Sequence, residues 1–297
     1  MTVLQQPSWR TIVPAGSEIG ERPVWDERTE SLLWVDILVG GIHRSRPGSA
    51  TDDEWTDSLQ SVGSVVGSLA LRQAGGVIAA VDTSIRFLDE RGRDDRDPVS
   101  VDMPTGHRFN DGVCDPRGRF LVGTAGSSAN GVLWTVDGDG QIRIMLEDVT
   151  ESNGLGWSAD GQVLYYIDSG EPVVRRYAYD PDAGSVGPRL LDLVDLVARP
   201  GVPDGLVVDA WGRVWVSQWR GAELACFDTD GSAVARWPVP VSQPTCPGFA
   251  LSSHDLLVLA TSWEGMDAEA RSREPWAGHL LAADVPVAGR PTSRYAS

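Results

Sequence analysis

The chain reads as an all-β protein, a six-bladed β-propeller closed by pairing of its N- and C-terminal strands. Three observations lead there. A polar turn followed by a short apolar strand recurs along the sequence, with strands starting near Leu32, Val77, Phe120, Val163, Val214 and Leu256. The intervals between these starts, 42 to 51 residues, match the size of a four-stranded blade. The segments are rich in Val, Ile, Trp and Tyr, which suit a pleated surface and argue against helical repeats of the same period.

A strand near Trp9 to Pro14 precedes the first repeat, and one near Gly278 to Val285 follows the sixth. Pairing them in one blade zips the ring and leaves no long free edge. The stretches Asp115-Pro116-Arg117-Gly118, Ala159-Asp160-Gly161 and Asp209-Ala210-Trp211-Gly212 supply turn residues that tolerate left-handed backbone. Gly265 to Arg273, ahead of Pro275, is expected to form a short solvated turn of helix. Asp52-Asp53-Glu54 and Arg91 to Asp97 read as exposed loops at blade edges. The 12 Trp are expected mainly as wedges between blades. One propeller domain over residues 1–297 follows, although length alone suits two domains of ~150 residues.

Charge bounds the partners. Lys and Arg number 25 against 42 Asp and Glu, a net charge of −17. With no basic patch, nucleic acid and anionic membrane surfaces are not expected as partners. A closed ring has no obligatory partner edge, so a monomer or weak homodimer is expected. Hydrophobic residues at 41% and charged residues at 23% suit a globular core. Cys114, Cys226 and Cys246 are odd in number and widely spaced, which fits buried reduced thiols in a cytoplasmic protein rather than a disulfide framework or zinc site. The N-terminus lacks a basic stretch followed by an apolar one, and no apolar run approaches the ~18 residues of a membrane span.

In a propeller the innermost strands line a central channel, so polar residues entering them deserve inspection. Glu21 precedes Leu32 by 11 residues, while Asn110, Asn153 and Asp204 each precede their repeat strand by 10. Equivalent places in different blades meet at one end of the axis. Two carboxylates and two amides gathered there make a hard, all-oxygen constellation suited to Ca²⁺, Mg²⁺ or Mn²⁺. Without a cation, the two carboxylates repel and one is driven to bind a proton. The fold expectation therefore includes a central axial metal site.

These residues resemble the senescence-marker-protein/regucalcin/gluconolactonase family. Gly20-Glu21-x-Pro23-x-Trp25 is similar to its first metal motif. Arg108-x-Asn110-Asp111-Gly112, Ser152-Asn153-Gly154-Leu155 and Pro203-Asp204-Gly205 are similar to the other three, and Gly265-Met266-Asp267 to Gly278 resembles its C-terminal stretch. The resemblance implies a six-bladed propeller, one catalytic divalent cation (Ca²⁺, Mg²⁺, Mn²⁺ or Zn²⁺) and hydrolysis of a sugar lactone such as gluconolactone. It implies Glu21, Asn153 and Asp204 as metal ligands, and Arg108 and Asn110 as substrate contacts. One departure stands out. Gly123 to Gly131 is short and holds no acidic residue, where some animal members carry a longer loop with an acidic substrate contact.

The implied chemistry is Lewis-acid polarisation of the lactone carbonyl and attack by water, with Asp204 as general base. No Gly-x-Ser-x-Gly elbow points to a serine nucleophile. His43, His107, His254 and His279 are scattered, and His107 reads as a bystander. The alternatives are a calcium-binding regulatory or scaffold propeller without turnover, and a related metal-dependent esterase. The repeats lack the Gly-His and Trp-Asp signature of common scaffold propellers.

Overall fold

Short apolar runs separated by Asp- and Gly-containing turns close into antiparallel hairpins. In the computed structural model, which describes residues 4–48 and 55–297, these hairpins form six sheets among the described residues, arranged as propeller blades. The innermost strands are Gly20–Asp26, Val66–Leu71, His107–Cys114, Ser152–Trp157, Val202–Val208 and Pro244–Ala250. The strands after them begin at Ser31, Val77, Phe120, Val163, Val214 and Leu256, within a residue of each repeat start. The fourth blade carries one extra short strand, Val194–Asp195, paired with Val173–Asp180.

Closure occurs where the sequence predicts it. Arg10–Val13 is the outermost strand of the sixth blade and pairs antiparallel with Leu280–Asp284, with Arg10 opposite Ala282 and Thr11 opposite Leu281. Arg10 Nη1 also reaches Asp284 Oδ2 at 2.7 Å. The first and last parts of the chain thus share one ladder, which joins the two ends of the ring.

Between each pair of adjacent blades lies one apolar cluster, six among the described residues. Trp25 and Trp34 fill the seam between blades six and one, and Trp215 and Trp237 the seam between five and six. Trp134 and Trp157 sit in two other seams, as wedges. Trp211 is an exception, an exposed ring covered on one side by the Arg213 guanidinium 4.8 Å from its centroid. The cysteines are buried and free.

The Asp-containing turns are built by one device. Asp115 Oδ1 accepts from the amides of Arg117 and Arg119, and Asp209 Oδ1 from those of Trp211 and Arg213. Gly118 and Gly212 close these turns at φ of 84° and 85°, where a Cβ would be strained. The expected helical turn is Ala268–Arg273, capped by Asp267 Oδ1 on the Ala270 amide at 2.8 Å. No helix among the described residues is long and apolar enough to cross a membrane. Arg91 to Asp97 forms an edge loop, whose exposed Asp95 pairs with the buried Arg72 at 2.8 Å. Asp52-Asp53-Glu54 lies outside the described residues.

Candidate active site

Every innermost strand breaks register at the same place. The shift falls between Glu21 and Val24, Val66 and Ser68, Phe109 and Gly112, Ser152 and Leu155, Pro203 and Leu206, and Pro244 and Pro247. Such a bulge re-aims side chains. It holds Asn110, Asn153 and Asp204, and it begins at Glu21. One cavity of about 240 Å³ is lined by Glu21, Arg108, Asn110, Asn153 and Asp204, so all five expected residues converge.

Hydrogen bonds set the amides. Asn110 Nδ2 donates to Asn153 Oδ1 and to the Ser152 carbonyl, both at 2.8 Å. Asn153 Nδ2 donates to Ser169 Oγ at 2.8 Å, and Ser169 Oγ in turn donates to the Pro203 carbonyl at 2.6 Å. This chain fixes which face of Asn153 offers its oxygen. Asn110 is thereby largely committed: its nitrogen is saturated, and its Oδ1 accepts from Arg108 Nη1 at 2.5 Å. Arg108 Nη1 also donates to the Phe109 carbonyl at 3.0 Å, and among the described residues its Nε and Nη2 have no hydrogen-bond acceptor.

The carboxylates are under electrostatic stress. Burial pushes the Glu21 carboxyl up to about 8, assisted by Asp111 and opposed by the Arg22 amide and guanidinium. Burial also raises Asp204 well above the usual carboxylate range, with Glu21, Glu151 and Asp111 adding to it and Arg108 opposing. No described residue donates a hydrogen bond to the Asp204 carboxylate. Beneath the cavity Arg22 and Asp111 form a buried pair at 3.7 Å, with Arg22 held at φ 51° and its amide donating to Glu21 Oε2 at 2.8 Å.

Among the described residues no group of three His, Cys, Asp or Glu side chains is arranged to hold a metal. Any cation here rests on two carboxylates and one amide oxygen. That donor set still fits a hard divalent ion, because the buried Glu21 and the half-buried Asp204 repel one another and Asp204 has no hydrogen-bond donor among the described residues.

Several lining residues escaped the sequence reading: Glu151, Glu264, Thr245, Ser169 and Trp219. Thr245 was findable. It stands 11 residues before Leu256, the same offset as Glu21, and its hydroxyl donates to the Gly20 carbonyl at 2.6 Å. Glu151 stands two residues before Asn153, as Arg108 stands two before Asn110. Strand alternation turns such pairs to one face. The short 123–131 segment does not line the cavity, and His107, also absent from the lining, ties its Nε2 to the Ser128 carbonyl at 3.1 Å.

Residues 19–262 match the family described as SMP-30/Gluconolactonase/LRE-like region, and these residues include every bulge described above. The chain belongs to this family. Within it, the chain is 33% identical to the pentonolactonase XacC of Haloferax volcanii, over 95% of this chain and 96% of the relative. It is likewise 33% identical to a 6-deoxy-6-sulfogluconolactonase of Pseudomonas putida, over 94% and 96%. The structure of a calcium-binding regucalcin from Agrobacterium tumefaciens superposes with a TM-score of 0.88 at 24% identity, covering 99% of both chains. That likeness speaks to the family fold.

Proposed function

We propose that this protein hydrolyses sugar lactones with one divalent cation held by Glu21, Asn153 and Asp204. One observation carries the reading: the buried Glu21 carboxylate and the half-buried Asp204 carboxylate, the latter without a hydrogen-bond donor among the described residues, meet an oriented amide oxygen in a single cavity on the axis. Membership of a family with lactonase-named relatives supports the reaction class.

The cation, when bound, polarises the lactone carbonyl and stabilises the charge that develops on it. Asp204 takes a proton from water as the water oxygen attacks the carbonyl carbon. The ring C–O bond then breaks, the ring oxygen takes back the proton held by Asp204 and leaves as a hydroxyl, and the acyl carbon becomes the carboxyl of the open acid, which releases its proton to solvent. Arg108, through its uncommitted Nε and Nη2, orients the sugar hydroxyls, and Asn110 keeps both Arg108 and Asn153 in place. Trp219, Ile19, Ile37 and Val202 give the cavity apolar walls.

The test is proton release from a panel of aldonolactones with Mg²⁺, Mn²⁺, Ca²⁺, Zn²⁺ or chelator, corrected for spontaneous opening. Metal-dependent acceleration that Asp204→Asn removes is the expected result. Tight Ca²⁺ binding with no acceleration of any lactone favours the regulatory reading, which the calcium-binding relative keeps in view.

A further inference from the structure

We infer that Glu151 and Glu264 make this site selective for neutral polyhydroxylated lactones against lactones that carry a phosphate or sulfonate on the distal carbon. The inference rests on the lactonase reading above. Five charged side chains line the cavity: Glu21, Arg108, Glu151, Asp204 and Glu264. A divalent cation balances Glu21 and Asp204. Two carboxylates then face one guanidinium, so the remainder of the cavity is negative.

Hydrogen bonds hold the backbone that carries those carboxylates. Arg108 and Glu151 occupy equivalent positions in neighbouring blades, each two residues ahead of an axial amide, and strand alternation turns both toward the channel. The Glu151 backbone is clamped on both sides. Its amide donates to Asp168 Oδ1 at 2.9 Å, and its carbonyl accepts from the Ser169 amide at 2.9 Å. Asp168 is itself fixed by Arg175 Nη2 at 3.1 Å. On the other side, the Glu264 amide donates to Ser262 Oγ at 2.9 Å and its carbonyl accepts from Gln243 Nε2 at 3.1 Å. Neither residue sits on a free loop tip.

Carboxylates accept hydrogen bonds from hydroxyls, so a polyol chain satisfies Glu151 and Glu264. An incoming phosphate or sulfonate donates nothing to them and finds Arg108 already opposed by both, with Nη1 committed to Asn110 and Phe109. Discrimination then comes from an unpaired charge rather than a lost contact. Two relatives at 33% identity bear names from neutral and sulfonated sugars alike, so identity does not separate the two classes.

The experiment compares kcat/KM of the metal-loaded full chain for glucono-δ-lactone with that for its 6-phospho and 6-deoxy-6-sulfo counterparts. Wild type is expected to favour the neutral lactone by about tenfold or more, with the preference shrinking as salt is raised. In Glu151→Gln/Glu264→Gln, kcat/KM for the anionic lactones is expected to rise while that for the neutral one falls. Opposed movements of this kind do not arise from partial unfolding. Equal turnover of both classes by wild type, or a preference unmoved in the double variant, overturns the inference and leaves the lactonase reading standing. Failure to open any lactone overturns the lactonase reading itself, and the inference with it.

Discussion

At the scale of single residues the axis is a problem of like charges. Glu21 and Asp111 are buried, Asp204 beside them is half-buried, and Arg22 is the cation placed among them. With the proposed divalent ion, these three carboxylates and one guanidinium sum to zero, which gives the buried Arg22 a role in charge balance. Replacing Arg22 by Met leaves Asp111 buried without its partner. The apo protein should lose about 3 kcal/mol of stability, and added divalent ion should raise its melting temperature by more than in wild type. Thermal unfolding with metal or chelator reads both; an unchanged apo midpoint removes Arg22 from this role. Asp204→Asn has the opposite sign for folding. It relieves repulsion from Glu21, so the apo midpoint should hold or rise while lactone turnover falls by about 10²–10⁴-fold. Turnover near wild type takes Asp204 out of the chemistry.

The bulged innermost strand is the element that converts this chemistry into a site. Its glycines matter because the strands nearly touch around the axis. A Cβ on Gly205 would stand 2.7 Å from both Cα and Sγ of Cys246, and one on Gly154 would stand 2.7 Å from the Leu206 amide nitrogen. Backbone cannot yield as a side-chain tip can. Gly205→Ala should therefore cost about 1–3 kcal/mol in chemical denaturation and lower kcat, because the displaced strand carries Asp204. Wild-type stability in this variant means that the blades separate more easily than the packing indicates. The equivalence of Glu21, Asn110, Asn153 and Asp204 was legible in the sequence, since each has a nearly constant offset from its repeat. Thr245 obeys the same offset and could have been read. Glu264 could not, because it follows a second strand and reaches the cavity through a turn tied to Gln243 and Ser262.

At the scale of the whole molecule two devices close the ring. The first is the shared ladder of Arg10–Val13 and Leu280–Asp284. The second is the C-terminal segment, which passes from blade to blade after the last strand. The Gly289 amide donates to the His254 carbonyl, the Tyr295 amide to Leu71 and the Ala296 amide to Gly118. Tyr295 is fully buried between the second and third blades, and its hydroxyl reaches the Asp137 carbonyl. Tyr295→Ala should cost about 3–5 kcal/mol in equilibrium denaturation; a loss below 1 kcal/mol, the scale of a single surface contact, means that the segment merely rests on the ring. Arg294 Nη2 grips Asp26 Oδ1 at 2.7 Å. Burial raises the Asp26 carboxyl, but hydrogen bonds from Arg294, Thr29 and the Arg28 amide outweigh it and leave it depressed. A depressed carboxylate stabilises the fold above its unfolded value of ~3.9 and loses that contribution as pH falls through its lower folded value. The melting-temperature gap between wild type and Arg294→Met should therefore be full at neutral pH and narrow in acid. A gap independent of pH assigns the stabilisation to packing instead.

By itself the sequence determined what repeats: the six-bladed ring, the pairing that closes it, and the axial carboxylate and amide positions. Hydrophobic alternation, turn chemistry and a fixed offset are local properties that a chain displays before it folds. Tertiary structure alone decided which residues share the cavity without sharing a pattern. Glu151 and Glu264 share the cavity with Arg108, Arg22 reaches Asp111, and Tyr295 fills a seam between blades laid down far earlier in the chain. Those contacts exist only once the ring has closed, because ring geometry, rather than sequence spacing, sets the distance across an axis.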